Sequence, residues 1–450
     1  MPPHATDCPG APALRPPRAP PWAVADLFRL SGETYRRPHL VPPAQQRVMR
    51  DLEACRTAQC GGHAAHWPTC GFERYAYHSC RHRHCPKCQT CTQGQWVENR
   101  TAALLPVPSF HLVFTVPHDL NPRILAHKRP LLTLLCNAAS QTLGQCGHRS
   151  LGGQSGGTMV LHTWDQTLGA HCHVHCLMAA GALSANGMRG IEAAPRFLFP
   201  VRALSTVLRG KFWAALAQGG AAGAVPRVQG LPALGTPEDV AQLRAQLYTK
   251  AWVVYAKAPL AGPAPVLDYI GRYTHRVAIA NHRILDGHDG WVRLADRNRR
   301  QGNRVQTITL DADACIRRFL WHVLPRGCMR LRHYGFLANR HKARPLRRCR
   351  ELWGQPSEPP PRCSTSVGQW RQEVTGGDRT QCPHCGARPL GWLPLPPLLP
   401  PAASRGTPVE VPIDDSSCTL AVSQGGRRNY RHRSPGALWR TRASPGGGAP

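Results

Sequence analysis

The sequence predicts a protein of the α+β class. β-forming residues dominate the runs at 110–117 and 158–164, and an alternating run at 171–177 follows the second of these after a short polar turn. Two strands joined by a short turn are expected to pair as an antiparallel hairpin. Helical periodicity occurs between and beyond these strands, and a cysteine-rich segment precedes them.

The remaining elements follow from periodicity and from turn residues. Helices are predicted near 22–28, 45–52, 130–145, 204–218 and 237–249, and further strands near 251–255, 291–294 and 305–310. Pro263 and Pro265 open another element at 266–279, because proline suits the first turn of a helix. The predicted segments are a disordered leader (1–22), a zinc-binding domain (23–98), a core (99–325), a basic DNA-binding segment that ends in a Cys-Pro-His-Cys unit (326–388), and a disordered Pro/Gly/Arg-rich tail (389–450).

The charge of the chain favours a polyanionic partner. Lys and Arg number 56 against 25 Asp and Glu, a formal net charge of +31. Nucleic acid is the simplest such partner, although a GC-rich coding sequence also raises the arginine content. Within the basic run 326–350, Arg332, His333 and Tyr334 are predicted to bind DNA, with Tyr334 and Phe336 stacking on bases. No secretory signal and no apolar run of membrane-spanning length is found, so a cytoplasmic location is expected.

The 19 cysteines are clustered with metal-ligand spacing, which favours zinc over a disulfide framework. The strongest unit is Cys85-Pro86-Lys87-Cys88, whose tight turn lets two thiolates converge on one tetrahedral ion. Further candidate ligands are Cys70 and Cys80, and beyond them Cys55, His63 and His84. Spacing does not determine which ligand pairs with which ion. Because the segment has little apolar content, metal binding is expected to supply its folding free energy.

Three histidines occupy alternate positions in His171-Cys172-His173-Val174-His175. Alternate side chains of a strand lie on one face, so the imidazoles are expected to form a row about 7 Å apart, from the rise per residue. Neighbouring imidazoles in such a row can chelate a divalent ion. Taken alone, the row is also explained by a strand that carries surface histidines.

Tyr269 and Tyr273 are four residues apart, which places both phenols on one face of a helix. An aromatic stripe packed on a sheet also explains this spacing, but Arg272 and Arg276 add phosphate-binding charge beside the pair. A phenol can act as a nucleophile towards phosphate, and a divalent ion would neutralise charge in the transition state. The combination predicts a phosphotyrosyl link to DNA, whose ester bond permits rejoining without ATP.

Four blocks in order resemble the rolling-circle insertion-sequence transposases, which are bacterial HUH nucleases of the two-tyrosine class with an N-terminal zinc-binding region. The blocks are the zinc cluster that ends at Cys88, the strand at 110–118, the histidine strand, and the tyrosine segment at 269–276. The resemblance implies an antiparallel-sheet HUH core flanked by helices, and a transposase that nicks and rejoins single-stranded DNA at the element's ends and target. It also implies a cytoplasmic, nucleoid-associated location and structural Zn²⁺.

The same resemblance assigns roles to individual residues. His173 and His175 match the two motif histidines, which would hold catalytic Mg²⁺ or Mn²⁺, and Tyr269 and Tyr273 match the nucleophiles. A third metal ligand is expected, and its candidates are His171, Asp165 and Gln166.

Two departures from the family pattern affect the zinc region and the tail. Trp67 stands where the family usually has a cysteine, so Cys60 or His66 would have to replace that ligand, or the site is weakened. Residues 390–450 resemble nothing in the family, so a decayed copy of a transposase is also compatible with the sequence. A plasmid replication initiator or relaxase of the same chemistry is a further candidate function, and a non-catalytic zinc-dependent DNA-binding protein is another.

Overall fold

A computed structural model provides the structure of the 450-residue chain. It describes residues 22–194, 198–221, 236–250, 252–257, 271, 277–298, 302, 304–357, 381–388 and 391–398. The predicted leader up to residue 21, most of the element at 266–279, and the tail beyond residue 398 lie outside the described residues.

Helices and antiparallel strands together confirm the predicted α+β class. The α-helices of the described part are α1 (Val24–Arg36), α2 (Pro43–Ala54), α3 (Gln89–Thr101), α4 (Asn121–Ala126), α5 (Lys128–Leu151), α6 (Val201–Ala221), α7 (Pro237–Thr249), α8 (Ala312–Trp321) and α9 (Ala343–Leu352). Its strands are β1 (Gly62–Trp67), β2 (Phe72–Tyr77), β3 (Ser109–Thr115), β4 (Gly153–Trp164), β5 (Ala170–Ser184), β6 (Gly190–Glu192), β7 (Val254–Lys257), β8 (Ile284–His288), β9 (Trp291–Asn298), β10 (Arg304–Asp311), β11 (Leu331–Gly335) and β12 (Trp392–Leu395). None of these helices is long and apolar enough to cross a membrane.

The largest sheet has the strand order β11-β4-β5-β3-β7, and the short β6 pairs with β5. β4 and β5 form the predicted antiparallel hairpin, and both are longer than their sequence patterns indicated. One face of the sheet is covered by α5 and α6, which bury the apolar side chains of that face in the main hydrophobic core. α5 ends at Gly152, whose φ of 65° is the left-handed conformation that commonly terminates helices.

A second core joins the N-terminal helices to the residues that follow position 277. α1 and α2 pack there with α8 and with the sheet of order β10-β9-β8. Phe28 of α1 meets Phe319 of α8 edge to face, with ring centroids 5.4 Å apart, a favoured aromatic arrangement. The Asp311 side chain caps α8 by accepting a hydrogen bond from the Ala314 amide at 3.2 Å.

A third sheet places β1 between β2 and β12. The pairing of β12 with β1 corrects the prediction of disorder for residues 391–398. Proline-rich composition suggested disorder, but the open edge of β1 accepts these residues as an edge strand. Pro394 is compatible with that position, because an edge strand can leave one side of its backbone unpaired.

The basic segment contributes to the central sheet, since β11 pairs with β4. Tyr334 and Phe336 are only 6% and 1% exposed, so the prediction that they stack on DNA bases is wrong for the described structure. Tyr334 belongs to the main core and Phe336 to a smaller core with Leu346 of α9. The aromatic residues of this segment therefore stabilise the fold.

Replacing Phe336 by alanine should lower the free energy of unfolding by about 3–5 kcal/mol, because a fully buried aromatic ring is removed and a cavity remains. Met329 lies in the same segment but is 61% exposed, so Met329→Ala should change stability by no more than about 0.5 kcal/mol. Thermal and urea denaturation of both variants measures the difference. Equal effects of the two substitutions would contradict the placement of Phe336 in the core.

Candidate functional site

The face of the central sheet opposite α5 and α6 carries the histidines. Along β5, Cys172 and Val174 enter the main core, so His173 and His175 lie on the other face. The same alternation along β3 buries Leu112 in that core and leaves His111 on the histidine face. The strand geometry therefore confirms the predicted alternation of the histidine row.

Three imidazoles converge on this face at the β4–β5 pairing. His162 of β4 lies directly opposite His173, while Val160 lies opposite His175. One ring nitrogen from each of His162, His173 and His175 lies within 4.8 Å of the others. The three side chains are 3%, 9% and 9% exposed, so the cluster is largely shielded from water.

Hydrogen bonds orient two of these rings. Nδ1 of His173 lies 2.9 Å from the carbonyl oxygen of His171, to which it can only donate. Nδ1 of His175 lies 2.8 Å from Nε2 of His111. The Nε2 atoms of His173 and His175 are 3.1 Å apart. An imidazole that donates from one nitrogen presents the lone pair of the other, which is the arrangement that metal-binding histidines adopt.

Burial keeps this part of the site in its neutral form. Desolvation lowers the pKa of His162 well below its usual range, and charges on neighbouring histidines and on Arg330 lower it further. Burial, with a smaller contribution from Lys257, lowers the pKa of His111 to about 4. His111 is therefore uncharged at neutral pH, and its Nε2 can accept a hydrogen bond from the Nδ1–H of His175.

The candidates for a third ligand occupy different positions. The ring of His171 stacks on His118 and lies beside His173, outside the three-histidine cluster. Asp165 Oδ1 accepts hydrogen bonds from the amides of Thr167 and Gly169 in the hairpin turn.

The Gln166 side chain accepts a hydrogen bond from the Arg297 amide at 3.3 Å, away from the cluster. His162 was missed: it lies opposite His173, but a register shift between His162 and Trp164 separates this pair from the pairing nearest the turn, so no local pattern indicates it.

The predicted nucleophiles Tyr269 and Tyr273 and the predicted phosphate ligands Arg272 and Arg276 lie outside the described residues. Gly271, midway between the two tyrosines, is described and buried. A Cβ atom at this position would come within 2.5 Å of Val97 Cγ2 and 3.6 Å of the Trp96 ring, so the chain passes close to α3.

α3 in turn packs on the histidine face of the sheet. Trp96 contacts a small cluster that contains Val160 and Leu177. Val160 lies opposite His175 in the β4–β5 ladder, and Leu177 follows His175 by two residues on the same face. α3 therefore contacts both position 271 and the sheet face that carries the histidines.

Four thiols form a separate cluster between α2, β2 and α3. Cys55, Cys80, Cys85 and Cys88 each place a sulfur within 4.8 Å of the others, and the nearest pair, Cys55 and Cys88, is 3.4 Å apart. The Cys88 amide donates to the Cys85 carbonyl at 3.2 Å, which forms the expected tight turn. Hydrogen bonds from the three neighbouring thiols lower the pKa of Cys88. Four sulfurs at these separations suit tetrahedral zinc.

The remaining predicted zinc ligands are not in this cluster. Cys70 lies with Cys382 and Cys385 instead. The ring of His63 contacts His78 at a centroid distance of 4.7 Å, and the buried ring of His84 stacks on His82 at 5.0 Å.

The suggested replacements for the missing cysteine at position 67 also lie elsewhere. Cys60 Sγ donates to the Ala54 carbonyl, and His66 is 3.6 Å from a carboxylate oxygen of Glu73.

The predicted DNA ligands of β11 lie on different faces of the sheet. Arg332 donates to Thr133 Oγ1 of α5 at 3.2 Å, on the helix side. His333 Nδ1 lies 2.9 Å from Thr158 Oγ1, on the histidine side, and burial lowers its pKa to about 4. Only His333 of the three residues named for DNA binding on this strand therefore shares a face with the histidine cluster.

Two family models match the chain, one over the region of the histidine cluster and one over the region of the four-thiol cluster. A family model described as "Putative transposase" matches residues 156–344, which include the three converging histidines. A second, described as "Transposase zinc-binding domain", matches residues 27–116, which include the four-thiol cluster.

Two relatives are transposases by name. The "Putative transposase y4qJ" of Sinorhizobium fredii is 43% identical over 368 residues, which are 80% of this chain and 92% of that protein. The "Transposase for insertion sequence element IS801" of Pseudomonas savastanoi pv. phaseolicola is 25% identical over 338 residues, 73% of this chain and 77% of that protein. No solved structure matches the chain. The chain therefore belongs to the rolling-circle insertion-sequence transposases that carry an N-terminal zinc-binding domain.

Proposed function

We propose that this transposase nicks and rejoins single-stranded DNA at the ends of its insertion sequence and at the target, through a 5′-phosphotyrosyl intermediate formed by Tyr269 or Tyr273. The observation that carries the proposal is the convergence of His162, His173 and His175 on the sheet face that α3 links to position 271. DNA as the partner follows from the family, and the formal charge of +31 agrees with it.

The three-histidine cluster fits a divalent ion. Three imidazoles would bind the ion in their neutral form, so they would leave it its full positive charge and leave coordination positions open to phosphate oxygens. Bound Mn²⁺ or Mg²⁺ would polarise the phosphodiester and neutralise the charge that develops on it. His111 and the His171 carbonyl supply the outer hydrogen bonds that fix the His175 and His173 rings.

The strand-transfer step exchanges one phosphate ester for another. The phenol oxygen of a tyrosine attacks phosphorus, the bond from phosphorus to the 3′ oxygen breaks, and the phenol proton is released while the departing 3′ oxygen takes up a proton. The tyrosyl ester keeps the energy of the broken bond, so attack by a 3′-hydroxyl reverses the step and rejoins the strand. A second tyrosine four residues away permits a second transfer before the first is resolved.

Position 271 supports the assignment of the tyrosines. Each tyrosine is two residues from Gly271 along the chain, and Gly271 contacts α3 where α3 covers the histidine face. The absence of a side chain at 271 allows this close approach, because a Cβ atom would overlap Val97. Gly271 is therefore held close to α3 on the side of the sheet that carries the histidines, which supports a role for the tyrosines on either side of it.

Replacing both Tyr269 and Tyr273 by phenylalanine should abolish the covalent DNA adduct, because the attacking oxygen is removed while the rings remain. Purified protein is incubated with Mn²⁺ and a single-stranded oligonucleotide from the element's end, and the adduct is detected on a denaturing gel. Tyr248→Phe, on α7 at the opposite side of the sheet, is the matched control and should form the adduct normally. An adduct that persists in the double variant would refute the nucleophile assignment.

His111→Phe should weaken Mn²⁺ binding by about 10–100-fold, because an aromatic ring remains at this half-buried position but His175 loses the partner that orients it. The affinity is measured by titrating Mn²⁺ and following its free EPR signal, and nicking is measured alongside. His148→Gln, at an exposed histidine of α5, is the control.

His162→Ala should lose tight Mn²⁺ binding, and excess Mn²⁺ should rescue nicking in His111→Phe more fully than in His162→Ala. Unchanged affinity in both His111→Phe and His162→Ala would show that the ion binds elsewhere.

A further inference from the structure

We propose that Cys70, Cys382 and Cys385 form a second zinc site that fastens residues 381–388 to the β1–β2 hairpin, with which β12 also pairs. Their three sulfurs lie within 4.8 Å of one another, and those of Cys70 and Cys382 are 3.5 Å apart. Tetrahedral zinc with Zn–S bonds of about 2.3 Å requires sulfur separations of about 3.8 Å, which these distances bracket. The site is separate from the four-thiol cluster, and Cys382 and Cys385 lie beyond both matched family regions.

Two turns with the same sequence pattern face each other at this site. Trp67-Pro68-Thr69-Cys70-Gly71 and Cys382-Pro383-His384-Cys385-Gly386 share proline, cysteine and glycine at their second, fourth and fifth positions. Their third residues are threonine and histidine, and their first residues are tryptophan and cysteine.

The backbones of the two turns match as well. The Gly71 amide donates to the Trp67 carbonyl at 2.8 Å, as the Gly386 amide does to the Cys382 carbonyl at 3.0 Å. Both glycines have a positive φ, of 70° and 71°. The His384 amide also donates to Cys382 Sγ at 3.4 Å, as expected of a turn that stabilises a thiolate.

Trp67 stands in its turn where the matching turn carries Cys382, so this site has three thiols. Its ring is fully buried against the C-terminal segment, and its indole N–H donates to the Ala387 carbonyl at 2.9 Å. Cys70 and Cys385 are exposed, so a water molecule can reach an ion that the three thiolates would hold and would be its fourth ligand.

The neighbouring contacts explain what the ion would hold together. β12 pairs with β1 over four residues, and Phe72 packs on His384 with ring centroids 4.7 Å apart. Only a small apolar cluster around Ala65, Trp67 and Cys382 supports this junction among the described residues. Because an interface this small buries little apolar surface, metal coordination would supply the missing stability.

Zinc content tests the proposal directly. The full chain, expressed with zinc and purified under reducing conditions, should contain two zinc ions, one for each thiol cluster. Cys70→Ser and Cys385→Ser should each lose one equivalent, since both residues are exposed and their loss should not unfold the protein. Cys60→Ser is the matched control, because Cys60 lies in the same region but in neither cluster, and it should keep both ions.

Two results would overturn the second site. One is an unchanged zinc content in both Cys70→Ser and Cys385→Ser, measured by mass spectrometry of the metal. The second is a single zinc ion per chain together with a disulfide that joins Cys382 to Cys70 or Cys385, found in protein purified without reductant.

Trp67→Cys should restore a fourth thiolate and slow the release of one zinc ion to a chelator, relative to the unmodified chain. In the Co²⁺-substituted protein, the same variant should increase the intensity of the thiolate-to-cobalt absorption. These spectroscopic and release measurements do not depend on nicking. A negative result for the second zinc site would therefore leave the proposed DNA chemistry unaffected, and a negative nicking result would leave the zinc site unaffected.

Discussion

The register between β4 and β5 is the constraint on which the candidate active site depends. It places His162 opposite His173 and Val160 opposite His175, so that three imidazoles meet on one face. A shift of one residue would turn His162 into the helix-side core and bring Leu161 to the histidine face. A register shift between His162 and Trp164 separates the His162–His173 pair from the hairpin turn. Within that turn, Asp165 accepts hydrogen bonds from the Thr167 and Gly169 amides.

β4 and β5 contribute side chains both to the main hydrophobic core and to the candidate site, on opposite faces of the sheet. Cys172, Val174 and Leu161 point towards α5 and α6 and belong to the main hydrophobic core. That apolar face offsets the cost of burying polar imidazoles on the other face, where hydrogen bonds from His175 to His111 and from His173 to a carbonyl satisfy the ring nitrogens. The pairing of β4 with β5 therefore holds the three imidazoles close together on one face of the sheet.

Local patterns in the sequence predicted the elements and part of the site. The alternation around His173 and His175 gave their shared face, and the spacing of Cys85 and Cys88 gave the tight turn. His162 could not be recognised in that way, because its role depends on the register of a neighbouring strand. The division of cysteines between two clusters depends on tertiary contacts that bring residue 382 to residue 70. Tyr334 was misjudged for the opposite reason. Its basic sequence neighbours suggested contact with DNA, but its position on β11 buries the side chain in the main core.

The N-terminal zinc-binding region is completed from the far end of the chain. Cys70 and Cys382 are 312 residues apart in sequence, yet their sulfurs are in contact, and β12 extends the sheet that β1 and β2 begin. The entropy of closing a loop grows only slowly with its length, so a contact this distant costs little more than one across a shorter insertion. Trp67 stabilises this junction, because its indole ring packs in the small apolar cluster with Cys382 and donates a hydrogen bond to the Ala387 carbonyl. One turn thus contributes a buried ring where the matching turn contributes the thiol of Cys382.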